Sequence, residues 1–332
     1  MQLFLRSRLP GLALIGIALM THAAFVVHGA EPPEAPTTDP ERAFEYLVKV
    51  CDIGPRMSGS EGMEQQQQLL SQHFTRLGAK VRFQTFDAAH PLTGRPVRMS
   101  NLIVSWHPEA EERVLLCCHY DTRPLPDRDS NPNLARNGKF IGANDGGSGV
   151  ALFMELGHHI QDIKPTYGID FVFFDGEEMV YGNAPDEEWF LGSRHFAKSY
   201  KDEPPEWRYV YGVLVDMIGD KNLQLYQEVN SLRYAPQLTA SIWKTAKTLG
   251  VKEFIAKRKH ELRDDHLPLN QIAKIPTCDL IDFDYPSWHT TRDVPSSCSG
   301  ASIAKVGNVL LAWLQEVPAP AKSPVSAKDK GR

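Results

Sequence analysis

The sequence predicts an α/β fold: a three-layer sandwich with a mostly parallel central sheet and helices on both faces. Short β-rich runs alternate with helical patterns through the second half of the chain, the rhythm of a sheet sandwiched by helices. The runs Val114–Cys118 and Ile169–Phe174 are almost continuously apolar, as expected of strands covered on both faces. Polar residues follow the later strands, where open α/β sheets bind ligands.

The elements are read in chain order. Arg6 and Arg8 precede an apolar stretch from Leu9 to Val27, and Gly29-Ala30 offers small residues for cleavage. Residues 1–29 therefore read as a signal peptide or membrane anchor, which predicts an exported protein, periplasmic or secreted. A membrane is a partner only if that segment stays uncleaved. Residues 30–39 read as a proline-rich linker. Thr38 or Asp39 is positioned to cap a helix that starts at Pro40, with Ala43, Phe44, Leu47 and Val48 on one face. A second helix runs from Glu61 to Leu77 behind Ser58-Gly59-Ser60. Strands follow at Lys80–Phe86, Leu102–Trp106, Val114–Cys118, Ile169–Phe174, Val210–Val215 and Thr277–Ile281. Helical patterns occupy Ser148–Ile160, Leu191–Tyr200, Pro236–Leu249 and Ala301–Leu314. Residues 40–316 form the catalytic domain in this reading, and residues 317–332 form a disordered tail rich in Pro, Ala, Lys and Ser.

Composition narrows the function. The 332 residues are 42% hydrophobic and 23% charged, enough apolar side chain for a sizeable core. A formal net charge of −5 leaves no basic stripe, which argues against a nucleic-acid partner. The five cysteines are too few, and odd in number, for a disulfide framework. An oxidising compartment would allow a Cys278–Cys298 bridge.

His119-Tyr120-Asp121 follows the third strand, and Asp145 sits in the glycine-rich loop before a helix. Asp175-Gly176-Glu177-Glu178 follows the fourth strand and Asp216 the fifth. An acidic loop after the last strand leads to Trp288-His289. Taken singly, each has an ordinary explanation: His119-Tyr120-Asp121 as a surface turn, Asp145 as a turn residue, Glu177-Glu178 as solvated acids, His289 as a packed loop histidine. Imidazoles and carboxylates on separate strand ends match what zinc takes as ligands, and Asp121 is spaced to orient a neighbouring group from behind.

The ordered set Cys-His-Tyr-Asp, Gly-Ala-Asn-Asp, Phe-Phe-Asp-Gly-Glu-Glu, Gly-Ser-Arg-His, Asp216-Met217-Ile218-Gly219, Asp264-Asp265-His266 and Trp-His-Thr resembles the zinc-dependent aminopeptidase-type exopeptidases. Within them it looks most like the glutaminyl-peptide cyclotransferases, from about Glu41 to Leu314. The resemblance implies a zinc aminopeptidase-like fold and substrates that are the amino termini of peptides or proteins. For a cyclase it implies a single Zn2+ on Asp145, Glu178 and His289. Glu177 would move protons, with Asp216 and Asp264 in a hydrogen-bond network beside it. For an aminopeptidase it implies two zinc ions bridged by Asp145, the second held by His119 and Asp216. Asp264 and Trp288 favour the cyclase. The chain departs from the animal cyclases at Val150, where a second cysteine would pair with Cys118. A pocket tryptophan after the glutamate pair is also missing, a place that Tyr181 or Trp189 would fill.

Overall fold

Alternation along the central strands sorts their side chains into two layers. On the third strand, Val114, Leu116 and Cys118 enter one apolar cluster, while Leu115 and Cys117 enter another. On the fourth, Phe171 and Phe173 join the first cluster, and Val172 and Phe174 the second. Side chains of successive strand residues point to opposite faces, so a strand apolar at every position must be covered on both.

The computed structural model describes residues 37–163, 165–181 and 189–320. The leader 1–29 and the tail beyond residue 320 lie outside the described residues. Among the described residues, no helix is long and apolar enough to cross a membrane.

Two helices open the described chain, α1 (Pro40–Cys51) and α2 (Glu61–Arg76). The strands β1 (Lys80–Ala89), β2 (Pro96–Trp106) and β3 (Glu112–His119) follow. Next come α3 (Pro132–Asn137), α4 (Gly147–Leu156), β4 (Gly168–Phe174), α5 (Leu191–Asp202) and β5 (Arg208–Asp216). A smaller region holds β6 (Leu225–Gln227), α6 (Val229–Tyr234), α7 (Pro236–Thr248) and β7 (Phe254–Arg258). The three-residue α8 (His266–Pro268) runs into a π-helical turn at Leu269–Ala273. The chain then forms β8 (Thr277–Ile281) and α9 (Gly300–Gln315).

The sheet order is β1-β2-β4-β3-β5-β8. β4, β3, β5 and β8 run parallel, while β1 and β2 add an antiparallel edge. Helices α1, α4 and α9 pack together on one face, and α5 with the π turn covers the other. The sandwich and its mostly parallel sheet agree with the sequence. Not legible there were the short β6–β7 pair, α3, α6 and the π turn, and the extension of β1 to Ala89 and of β2 back to Pro96, which pair along their whole length.

Local chemistry sets the boundaries. Asp39, not Thr38, caps α1, accepting from the backbone N–H groups of Glu41 and Arg42. Thr38 instead bonds to Ala304 and Asn308 of α9. Packing therefore extends past residues 40–316 at both ends, since Val317 is also buried in the main cluster. The helix expected over Ser148–Ile160 ends at Leu156. Beyond Gly157, His158 and His159 bond back three residues and the chain tightens into turns. All five cysteines are free and buried, so Cys278 and Cys298 are not bridged. Cys278 packs inside β8, while Cys298 lies beside Asp220 in an isolated backbone bridge.

Candidate active site

Four adjacent parallel strands end on one side of the sheet, which brings residues distant in sequence together. His119 ends β3, Glu177 and Glu178 follow β4, Asp216 ends β5, and His289 lies beyond β8. Asp145 arrives on the loop before α4. Gly146 takes φ +83° there, and a Cβ at that position would fall 2.6 Å from the Asp121 carbonyl oxygen. Only glycine allows that turn to press against the β3 end.

Two ligand triads share Asp145. In the first, one ligand atom each from Asp145, Glu178 and His289 lies within 4.8 Å of the others. His289 Nε2 is 3.1 Å from Glu178 Oε1 and 3.5 Å from Asp145 Oδ2. The second triad is His119, Asp145 and Asp216. His119 Nε2 is 3.2 Å from both Asp145 Oδ1 and Asp216 Oδ1. Asp145 Oδ2 is buried and has no hydrogen-bond partner. A buried, unpartnered carboxylate oxygen facing an imidazole and a second carboxylate is the donor set that zinc takes, so these residues fit the ion.

The protein around the triads holds them in place. Asp121 accepts from the backbone N–H groups of Glu177 at 3.2 Å and Glu178 at 2.9 Å. Asp293 accepts from the N–H groups of Asn144 at 2.8 Å and Asp145 at 3.1 Å. The fully buried Arg56 donates to the carbonyls of Ile141 and Gly142, fixing the start of the same loop. Arg123 Nη1 donates to Glu178 Oε2 at 2.5 Å, and its other nitrogens bind Asp127. Asp127 Oδ1 is in turn 3.3 Å from His289 Nδ1. Asp127 thus places a negative charge behind the His289 ring. His289 itself sits at φ +54°, a left-handed conformation uncommon outside glycine.

Neighbouring charges set the proton affinities. Burial, then the adjacent Glu178 carboxylate, raises Glu177 well above the usual carboxylate range; Asp264 adds to this. Burial also pushes Glu178 up, but the positive charges of His289 and Arg123 outweigh it and hold that carboxyl low. Asp145 rises to about 7 through burial and Glu178. Two adjacent glutamates are thereby pushed apart: Glu178 stays ionised while Glu177 holds a proton readily.

Asp264 belongs to a deeper buried cluster with His266 and Asp279. Burial and the charge of Asp216 raise it to about 7. Its Oδ1 accepts from the Asp265 N–H at 2.5 Å, and Ser193 Oγ donates to Asp265 at the same distance. Glu228, almost fully buried, accepts from Asn230, Ser231 and Leu262, tying α6 to the loop that carries Asp264.

Trp288 packs on Phe283 and on the ring of His289, with the Arg128 guanidinium 3.8 Å from its centroid. Tyr181 lies elsewhere, with Met99, Met179 and Leu191, and shares a 3.0 Å hydrogen bond with His90. The sequence signals thus converge on the strand ends, although Tyr181 and Trp288 belong to separate apolar clusters. Arg56, Arg123, Asp127, Asp293 and Glu228 were not singled out from the sequence. Asp293 stands four residues after His289, and Arg123 and Asp127 follow His119-Tyr120-Asp121 closely, but no spacing rule marks them.

Residues 101–314 match peptidase family M28. Among solved structures, the chain is similar to the glutaminyl cyclase of Fimbriiglobus ruber, with 42% identity and a TM-score of 0.80 over 86% of this chain and 99% of that one. A leucine aminopeptidase precursor from Bacteroides thetaiotaomicron has 31% identity and a TM-score of 0.79 over 86% of this chain and 99% of its own. Glutaminyl-peptide cyclotransferase of Bos taurus is 27% identical over 293 residues, 79% of this chain and 78% of that one.

Proposed function

This chain belongs to peptidase family M28, and from that premise we propose that it is a zinc-dependent glutaminyl-peptide cyclotransferase. It converts the amino-terminal glutamine of peptides to pyroglutamate and releases ammonia. The observation that carries the assignment of roles is geometric: Asp145, Glu178 and His289 each bring a ligand atom within 4.8 Å of the others, and Glu177, next to Glu178, has its backbone held by Asp121. The family and the cyclase relatives support the reaction.

Asp145, Glu178 and His289 would hold one zinc ion. When bound, zinc polarises the γ-carbonyl of the substrate glutamine. Glu177 accepts a proton from the substrate α-amine as its nitrogen bonds to the side-chain carboxamide carbon, Cδ. The same carboxyl then returns the proton to the amide nitrogen, the carbon–nitrogen bond breaks, and ammonia leaves. The attack is intramolecular, so the site mainly holds the substrate in a ring-closing pose. Asp121 fixes the backbone of Glu177 for this task. Asp264, itself raised by burial and the charge of Asp216, adds to the burial and the Glu178 charge that raise the proton affinity of Glu177. Trp288, beside His289, walls the site and helps exclude water. Residues 1–29, read as a signal peptide or membrane anchor, would make this an exported enzyme, in keeping with peptide amino termini as substrates.

A second reading is a two-zinc aminopeptidase, favoured by the His119–Asp145–Asp216 triad and the similarity to the leucine aminopeptidase precursor. Incubation with a Gln-initiated peptide separates the two. Mass loss equal to ammonia, with about one zinc per chain, supports cyclisation. Release of free glutamine, with about two zinc per chain, supports hydrolysis and overturns the cyclase assignment.

A further inference from the structure

Beyond the carboxyl end of β4, the antiparallel edge carries on alone. The last paired residues of β2 and β4 at that end are Leu102 and Phe173, so residues 96–101 of β2 and their β1 partners project past the strand end that leads to Glu177 and Glu178. A cavity of about 800 Å³ lies between this projection and α5. Among its lining residues, the ring of Phe86 stacks on His195 with centroids 4.4 Å apart.

The α5 wall is basic. Arg194, Lys198 and Lys201 are spaced by four and three residues, which sets them along one helix face. All three are exposed, and among the described residues none is ion-paired. Asp87 and Asp202 also line the cavity, but Asp87 is already paired with Arg98. The wall therefore presents excess positive charge in a protein whose formal net charge is −5. His90 lines this cavity and also a smaller one of about 180 Å³ formed with Ser58, Thr122, Met179 and Tyr181. Met179 directly follows Glu178, so the smaller cavity borders the segment that carries the glutamate pair.

We propose that this groove receives the downstream part of the substrate peptide and selects peptides carrying Asp or Glu after the first few residues. The inference rests on the peptide-cyclising reading of the site. The amino-terminal glutamine occupies the zinc site, the next residues pass Tyr181 and His90, and acidic side chains further along meet Arg194, Lys198 and Lys201. Exposed ion pairs are individually weak, about twofold each, so three together give roughly tenfold.

The test compares Gln-initiated peptides of equal length with acidic, neutral or basic downstream residues, together with a glutamine amide that ends before the groove. Expected is kcat/KM about tenfold higher for the acidic than for the basic peptide, carried by KM and reduced by high salt. In Lys198→Glu/Lys201→Glu, the acidic peptide should lose that advantage and the glutamine amide should be turned over as before. Equal rates for acidic and basic peptides on the native protein would overturn the groove proposal, as would equal losses on every substrate in the variant. Failure to cyclise even the glutamine amide would instead refute the function on which it rests.

Discussion

Asp121 Oδ2 accepts a hydrogen bond from the backbone N–H of Glu178 at 2.9 Å, while its Oδ1 accepts from Glu177. One fully buried carboxylate thus fixes the backbone of both glutamates at the end of β4. In Asp121→Asn, an amide NH2 replaces one acceptor and faces an N–H donor. Zinc affinity should fall about 10- to 100-fold, the usual cost of losing such support. Competition with a chromophoric chelator measures it, and unchanged affinity would remove Asp121 from this role.

Glu177→Gln should lower turnover by about a thousandfold, near the middle of the range for a lost general base. Zinc content should stay that of the native protein, because Glu177 is not in the ligand triad. Ammonia release and metal analysis on the same preparation provide the check. Loss of the metal together with activity would mean that Glu177 acts as a ligand.

Arg123 neutralises buried Glu178 and also binds Asp127 behind His289. Arg123→Met removes one partner of a buried pair and should destabilise the metal-free protein by about 3 kcal/mol. Zinc can replace the lost positive charge beside Glu178, so added zinc should raise the melting temperature of the variant more than that of the native protein. Calorimetry with and without zinc gives both numbers.

The metal-free protein should be most stable in mildly acidic solution. Burial raises Asp175 and Asp282 to about 7 and Asp293 to about 6. In the unfolded chain these groups titrate near ~3.9. The folded state therefore binds protons more tightly, and the stability this contributes is lost as pH rises through 6 to 7. Glu155 and Glu228 act in the opposite sense. Burial pushes both up, but His159 and Arg42 around Glu155, and His266 with backbone N–H groups around Glu228, bring each to about 2. Their contribution is present above the unfolded value near ~4.3 and is lost as pH falls through 2. Chelator-treated protein should melt at a higher temperature at about pH 5 than at about pH 8. The reverse order would contradict these assignments.

The sequence alone determined the layered fold and the polar residues at the carboxyl ends of the parallel strands. Apolar runs such as Val114–Cys118 can lie only inside a sheet covered on both faces, and polar residues after such runs gather on one side of it. That physics is local in the chain, so His119, Asp145, Glu177, Glu178, Asp216 and His289 were visible before any coordinates. The tertiary structure decided what those residues experience. Arg123, Asp127, Asp293 and Glu228 act across loops, and no periodicity or spacing records a contact between distant segments. The same holds for the two glutamates, identical and adjacent in sequence. Both are desolvated, but one faces Arg123 and His289 and the other does not, and only the folded arrangement of charge gives them opposite proton affinities.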